Sequence, residues 1–153
     1  KNKITVNKKI SNFFIKKYFH PELQIKLTNH LLKFANTSID ISDGLIGDLE
    51  KMVNRQNFSF LINENKIPIS LELKKLISKK KLKKINTVTN GDDYQILFTA
   101  SLNKSRIIKR ISKKLGIKIT KIGKIISGKK KSSIIDVKGK QIKAINNAYK
   151  HEF

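Results

Sequence analysis

Cysteine is absent from this sequence of 153 residues, which excludes disulfide bonds, thiolate metal sites and a cysteine nucleophile. Two prolines and seven glycines are too few for a Pro/Gly-rich linker or a low-complexity chain. No apolar run approaches the ~18 residues of a membrane span. Lysines interrupt the apolar residues of segment 1–19, so no signal peptide is predicted there. With 39% hydrophobic and 29% charged residues, the composition is that of a globular protein.

Acidic residues are also scarce, at 11 against 34 basic ones, and the formal net charge is +23. Such an excess is typical of proteins that bind nucleic acid or anionic membranes. However, only Arg55, Arg106 and Arg110 are arginines, and arginine is the residue on which base readout depends. The lysines are spread along the whole chain, as codon bias in an AT-rich genome would produce. We therefore predict no specific nucleic-acid partner and keep a basic nucleic-acid-binding module as an alternative.

Hydrophobic periodicity and turn signals predict a chain in which helices and strands alternate. Predicted helices cover 1–19, 22–36, 45–55, a segment from Ser70 to the lysine run 79–84, and a segment from Ser101 or Asn103 to Leu115. Predicted strands cover 37–41, 58–62, 85–89, 94–100, 117–126, 134–137 and 141–145, the last two forming a hairpin. This order predicts an α+β (α/β layered) fold with helices packed on a mixed β-sheet.

Five of the six aspartates fall in two short segments, Asp40 to Asp48 and Asp92-Asp93, and the first of these includes the motif Ser38–Leu45. Alternation along a strand would direct its isoleucines to the core and Asp40 and Ser42 to the opposite side. Asp43 then stands where the strand ends, and Gly44 permits a sharp turn into a helix. Carboxylates suit Mg²⁺, and backbone N–H groups at a helix N-terminus suit phosphate. The segment therefore predicts a site for a metal and a nucleotide.

Two alternatives apply to this segment. Ser42 or Asp43 could cap the following helix, although capping leaves Asp40 unexplained. Asp48 could be a third metal ligand, but the favoured interpretation is an ordinary acid in the first turn of a helix.

The second acidic segment is Thr89–Phe98, in which an Asn-Gly pair precedes Asp92 and Asp93. Alone, this pattern favours a tight turn before a core strand. Adjacent carboxylates at the start of a buried strand nevertheless indicate a cation or a basic ligand. The sequence contains no GxxxxGK[ST], GxGxxG or HExxH motif.

Taken together, the motifs resemble the thiamine-monophosphate kinase family, and specifically its C-terminal domain. Residues 38–49 (SIDISDGLIGDL) are similar to the family block IDxSDGLxxDL, and residues 90–98 (NGDDYQILF) are similar to GG[ED]DYELLF. Ile67-Pro68, Ile122-Gly123 and the tail at 148–153 resemble shorter family elements.

The resemblance implies a PurM-like C-terminal domain, partly ferredoxin-like in topology, over residues 20–153. Residues 1–19 would be a helical lead-in from a PurM-like N-terminal domain that the sequence lacks. The absence of an initiating methionine agrees with this interpretation, and we expect a fragment of a longer, cytoplasmic protein. The family also implies a homodimer, with further metal-binding residues in the N-terminal domain, so that the fragment alone is expected to be inactive.

By position, the resemblance implies that Asp40 and Asp43 bind Mg²⁺ and that Ser42 contacts ATP. Asp92 would meet the thiamine part of the substrate, and Tyr149 would pack on its ring. The implied reaction is transfer of the γ-phosphoryl group of ATP to thiamine phosphate, giving thiamine diphosphate. Another PurM-like enzyme that uses ATP to phosphorylate or activate a different small molecule is the alternative.

Overall fold

The structure, a computed structural model, describes residues 5–53, 57–80, 82–128 and 131–142. Within these residues the α-helices are Lys8–Phe19 (α1), Ile25–Leu31 (α2), Leu45–Val53 (α3), Leu71–Lys80 (α4), Lys84–Val88 (α5) and Ser105–Leu115 (α6). The strands are Ala35–Asp40 (β1), Phe58–Asn63 (β2), Ile96–Ala100 (β3), Gly123–Ser127 (β4), Ser133–Ile135 (β5) and Gln141–Ile142 (β6). Short 3₁₀ turns occupy Glu64–Lys66 and Leu102–Lys104. In the described part of the chain, no helix is long and apolar enough to cross a membrane.

The strands form two sheets. Strands β1 and β3 pair antiparallel as a ribbon. The second sheet has the order β4-β2-β5-β6, and only its β2–β5 pair is parallel. The fold therefore combines helices with one antiparallel ribbon and one sheet that has both parallel and antiparallel strand pairs. This confirms the predicted α+β class with a mixed sheet.

Alternate faces of the β1–β3 ribbon contact two separate hydrophobic clusters. Leu97 belongs to the larger cluster, against which Ile39 and Ile41 also pack. Phe98 packs on the smaller cluster, where its ring centroid lies 5.1 Å from that of Phe34. This is the two-residue periodicity of a strand, and it confirms that Ile39 and Ile41 face the core while Asp40 between them is exposed.

Helix α3 supplies much of the larger cluster, since Leu45, Ile46 and Leu49 are each at most 4% exposed. Full burial of side chains of this size contributes roughly 1.5–3 kcal/mol each. Phe60 and Ile62 of β2 pack in the same cluster. The first turn of α3 is therefore held rigidly against the second sheet.

Residues 85–88 are helical in α5, so the strand predicted over 85–89 is wrong. The backbone N–H of Ile85 donates to Glu64 Oε1 at 3.0 Å. The Lys84 ammonium donates to the backbone carbonyls of Glu64 and Ile67 at 2.7 and 2.5 Å. These contacts with a distant segment stabilise a helix start that local propensity does not favour. Ile85 and Val88 then lie one turn apart on the buried face.

Other element boundaries differ from the predictions at their ends. Helix α2 is shorter than predicted because Ala35 onward pairs with β3. Strand β4 begins only at Gly123, since Ile117 and Ile119 pack on the smaller cluster instead. Helix α6 begins at Ser105, after a 3₁₀ turn.

Several predicted helix and turn signals are confirmed. The Ser70 hydroxyl accepts from the Leu73 N–H at 3.1 Å and caps α4. Gly116 ends α6 in the left-handed conformation, with φ 64°. Gly139, at φ 79°, lies in the turn between β5 and β6, which pair antiparallel as the predicted hairpin requires. The part of that hairpin beyond Ile142 lies outside the described residues.

Candidate functional site

The two acidic segments lie side by side at one end of the β1–β3 ribbon. We call residues 40–44 the first loop and residues 89–94 the second loop. Asp40 is paired with Ile96 in the ribbon. Backbone hydrogen bonds continue beyond it, because Ile41 N donates to Gln95 O, and Tyr94 N to Ile41 O, both at 2.9 Å. Antiparallel pairing thus brings together two loops that are about 50 residues apart in the sequence.

Glycines allow the two backbones to touch. A Cβ on Gly91 would lie 1.9 Å from the carbonyl oxygen of Ser42, and one on Gly44 would lie 2.2 Å from that of Thr89. Gly44 also has φ 105°, a conformation that side-chain-bearing residues rarely adopt. The Asp92 N–H completes the contact by donating to Ser42 O at 3.0 Å. Each loop therefore needs a glycine where the other approaches it.

The second loop holds two non-glycine residues in the left-handed region, Asp92 at φ 66° and Tyr94 at φ 51°. Such conformations cost of order 1–3 kcal/mol and persist only where surrounding contacts impose them. Here the N–H groups of both residues are bound to the first loop. The pairing of the loops thus directs the Asp92 side chain.

Asp48 lies in the first turn of α3, as the favoured interpretation has it, but it is not an ordinary exposed acid because it organises the first loop from beneath. Its side chain is 0% exposed. Its Oδ2 accepts hydrogen bonds from the backbone N–H groups of Ser42 and Asp43, at 3.0 and 3.1 Å. A sequence signal existed: Asp48 lies three residues after Leu45 and four before Met52, on the apolar stripe of α3.

These contacts concern the amides of the two loops, and the expectation of a phosphate group at the N-terminus of α3 itself stays a prediction. The N–H groups of Ser42 and Asp43 point inward to Asp48, and that of Asp92 is bound to Ser42. They are therefore not free to bind a phosphate group. An anion at these loops would need its charge offset by a cation or by basic side chains.

Lys51 places a positive charge between two carboxylates of the site. Its ammonium donates to Asp48 Oδ1 at 3.0 Å and also to Asp43 Oδ2. The hydrogen bond to Asp43, followed by that to Asp48, raises the pKa of Lys51. The first loop can thus accommodate a cation beside Asp43.

The donor chemistry of the first loop fits Mg²⁺, which prefers carboxylate oxygens. Asp40 is exposed at the end of β1, and Asp43 is partly buried. Within the residues that the structure describes, no three Asp, Glu or His side chains form a group that could hold a metal ion. The loop offers two carboxylates, and Mg²⁺ commonly completes its octahedral shell with water and substrate phosphates.

The second loop carries an unfavourable pair of negative charges. Loss of hydration, and then the neighbouring Asp92 charge, raise the pKa of the Asp93 carboxyl although the residue as a whole is exposed. The Tyr94 hydroxyl lies 3.4 Å from Asp92 Oδ1, and Gln95 Nε2 lies 3.4 Å from the Glu22 carbonyl oxygen. A cationic ligand beside these carboxylates would relieve their repulsion. Tyr149, the other predicted substrate residue, lies outside the described residues.

Proteins similar to this chain occur among the thiamine-monophosphate kinases, although no protein-family profile matches it. The enzyme of Buchnera aphidicola subsp. Acyrthosiphon pisum is 38% identical over 126 residues, covering 82% of this chain and 38% of that protein. The crystal structure of thiamine monophosphate kinase from Aquifex aeolicus has a TM-score of 0.70 at 27% identity, covering 91% of this chain and 43% of that one. A structure described as AaThiL complexed with AMPPCP and TMP has a TM-score of 0.69 at 27% identity, covering 91% and 41%.

The matches cover most of this chain but less than half of each relative. More than four-fifths of this chain is matched, but the chain spans only about two-fifths of the length of the curated relatives that it matches. The similarity therefore concerns one portion of those proteins, and it includes both loops of the site.

Proposed function

This chain belongs to the thiamine-monophosphate kinase family, and from that premise we propose that it forms part of the active site of a thiamine-phosphate kinase. The reaction is transfer of the γ-phosphoryl group of ATP to thiamine phosphate, giving thiamine diphosphate. Support comes from the identity with named kinases and from a similar structure that holds AMPPCP, an ATP analogue, together with TMP. The contact between the first and second loops is the observation that carries the proposal, because these are the loops to which we assign the nucleotide and the phosphate acceptor.

The first loop is the nucleotide side of the proposed site. Asp40 and Asp43 hold Mg²⁺ through their carboxylates, and the Ser42 hydroxyl contacts ATP. Bound Mg²⁺ offsets the negative charge of the transferred phosphoryl group. This assignment is supported by the orientation of the Ser42 and Asp43 amides, which donate to Asp48 and so leave the side chains of these residues to meet the nucleotide and its metal.

The second loop is the acceptor side. Asp92 attracts the cationic thiazolium of thiamine phosphate, and Tyr149 packs on its ring. Loss of hydration, and then the Asp92 charge, raise the pKa of neighbouring Asp93, and this supports the assignment because a cationic ligand would stabilise the ionised carboxylates. Neither loop needs to form a covalent bond to the substrates, since phosphoryl transfer depends mainly on alignment of the two substrates and on compensation of the phosphate charge.

The remaining parts of the enzyme are proposed from the same premise. A PurM-like N-terminal domain supplies further metal ligands and forms the homodimer, which agrees with relatives much longer than this chain. Residues 1–19 link that domain to residues 20–153. Within the linking segment, α1 buries none of its described residues, as expected for a helix between two packed units.

The test uses the protein that contains this chain, in wild-type form and with Asp40→Asn or Asp43→Asn. Isothermal titration with AMPPCP should show nucleotide binding that depends on Mg²⁺. We expect each variant to lose about 10-fold or more in that affinity, at least the loss that follows removal of a group that only orients a metal ligand. Glu50→Gln, an equal loss of charge on the exposed side of α3, is the matched control and should bind as wild type.

A substrate panel tests the acceptor. Thiamine phosphate should be phosphorylated with a kcat/KM well above that of other phosphorylated small molecules, and Asp92→Asn should raise KM for thiamine phosphate selectively. Preference for a different acceptor would assign the chain to another PurM-like activity. If binding of AMPPCP is unchanged in both metal-ligand variants, the nucleotide assignment of the first loop is wrong.

A further inference from the structure

A buried carboxylate in the first turn of α3 has no part in the reaction proposed above. Asp48 is completely buried, and its helix neighbours Leu45, Ile46 and Leu49 belong to the larger hydrophobic cluster. A carboxylate in such surroundings is costly unless hydrogen bonds satisfy it. The hydrogen bonds that do so come from the first loop and from Lys51.

The two backbone hydrogen bonds determine the course of the first loop. Successive N–H groups, those of Ser42 and Asp43, donate to the same oxygen, Asp48 Oδ2, at 3.0 and 3.1 Å. The peptide planes on both sides of Ser42 are therefore fixed. The carbonyl of Ser42 is directed to the other side, where it accepts from the Asp92 N–H at 3.0 Å. The backbone of Ser42 is thus held between Asp48 below and the second loop beside it.

The other carboxylate oxygen reaches the Asp43 side chain. Asp48 Oδ1 accepts from Lys51 Nζ at 3.0 Å, and the same ammonium contacts Asp43 Oδ2. Lys51 is half exposed, whereas the side chains of Asp43 and Asp48 are 18% and 0% exposed. One buried group thus orients the backbone of the first loop directly and the Asp43 carboxylate through Lys51.

We propose that Asp48 is a positioning residue for the metal and nucleotide site and does not itself bind the metal. Its carboxylate holds the N–H groups of Ser42 and Asp43 inward, so that their side chains are presented together. This inference rests on the proposed function for the identity of the ligand. The orientation of the loop by Asp48 can be measured without any ligand.

The first measurement is amide hydrogen exchange on the metal-free, nucleotide-free protein. In Asp48→Asn, a neutral isostere, we expect the amides of Ser42 and Asp43 to exchange about 10-fold faster or more, because they lose charge-assisted hydrogen bonds. Exchange of the paired amides of β2 and β4 should stay as in wild type. Lys51→Met should leave both loop amides protected, since neither bond involves the lysine. Unchanged protection in Asp48→Asn, or faster exchange spread evenly over the protein, would overturn the inference.

The second measurement is the Mg²⁺ titration of AMPPCP binding. Loss of a group that orients a metal ligand typically weakens metal affinity by about 10–100-fold. We expect Asp48→Asn to raise the half-saturating Mg²⁺ concentration within that range, with Glu50→Gln as the control of equal charge. A variant that loses protection at Ser42 and Asp43 but keeps wild-type Mg²⁺ dependence would show that Asp48 serves the fold alone. Absence of any Mg²⁺ or nucleotide binding in wild type would contradict the proposed function and leave the exchange result standing.

If Asp48→Asn does not fold, the hydrogen bonds to Asp48 can be tested in the wild-type protein. Scalar couplings across hydrogen bonds should connect the amide nitrogens of Ser42 and Asp43 to the side-chain carboxyl carbon of Asp48. Their absence at both amides would refute the inference.

Discussion

Replacement of Gly91 by alanine should force the two loops apart. The added Cβ would lie 1.9 Å from the Ser42 carbonyl oxygen and 3.1 Å from the Asp43 Cα, whereas real Cβ atoms essentially never approach within 3.0 Å. Both neighbours are backbone atoms, so no side-chain rotation can relieve the clash. The loops must therefore separate by about 1 Å at this point.

The expected cost follows from two contributions. Inserting a methyl group into a closely packed contact costs about 1–3 kcal/mol. Separation of the loops also weakens the hydrogen bond from Asp92 N to Ser42 O, which contributes roughly 0.5–1.5 kcal/mol. Gly91 does not lie in the left-handed region, so its φ adds no further penalty. Together these contributions predict a loss of about 1.5–4.5 kcal/mol, or a fall in Tm of roughly 3–18 °C.

Gly116→Ala is the matched control, because it separates backbone strain from loop contact. Gly116 has φ 64°, but nothing lies within 4 Å of the position that an added Cβ would take. Its replacement should therefore cost only the left-handed strain of about 1–2 kcal/mol. Calorimetry gives both stabilities, and titration with AMPPCP and Mg²⁺ should show weaker binding for Gly91→Ala alone. If Gly91→Ala is no less stable than Gly116→Ala and binds as wild type, the loops do not make the contact described.

Two further predictions concern titration and packing. The pKa of the Asp93 carboxyl is raised in the folded state, so ionisation of this group lowers the free energy of unfolding. The protonated group's contribution to stability is therefore full below pH 3.8, the ordinary value, and is lost as the pH rises through the higher pKa of the folded state. Asp93→Asn should accordingly raise the urea midpoint at pH 7 but not at pH 3, and an equal effect at both values would contradict this. Lys84→Met should cost about 1–3 kcal/mol in chemical denaturation, because it removes the donor shared by the Glu64 and Ile67 carbonyls. The exposed Lys75→Met is its control, and equal stability of the two variants would show that the Lys84 contacts add nothing.

Much of the site's local structure could be predicted from neighbouring residues. The alternation of Ile39, Asp40 and Ile41 determines which side chains face the core, because successive residues of a strand point to opposite faces. Gly44 marks the sharp turn, and the apolar stripe beginning at Leu45 marks the helix after it. Each of these features depends on interactions within a few residues, and each agrees with the structure.

Features that depend on how one segment folds onto another could not be predicted in this way. Residues 85–89 have the β-branched pattern of a strand, yet Glu64 and Lys84 stabilise a helix there. Asp48 has the position of an ordinary first-turn acid, yet the loop folds over it and buries it. Glu64 lies about 20 residues from α5, and Ser42 and Asp43 lie six and five residues before Asp48 across a turn whose course no local pattern specifies.

The sequence by itself determined the alternation of helices and strands, the acidic residues available for chemistry and the family that the chain resembles. These features depend on short-range periodicity and on motifs, which consecutive residues specify. Only the tertiary structure decided that β1 and β3 pair, that Gly44 and Gly91 let the loops touch, and that Asp48 orients the first loop from below. These outcomes depend on steric fit and on hydrogen bonds between groups brought together by folding. They were therefore settled by packing between segments and not by the propensity of any one of them.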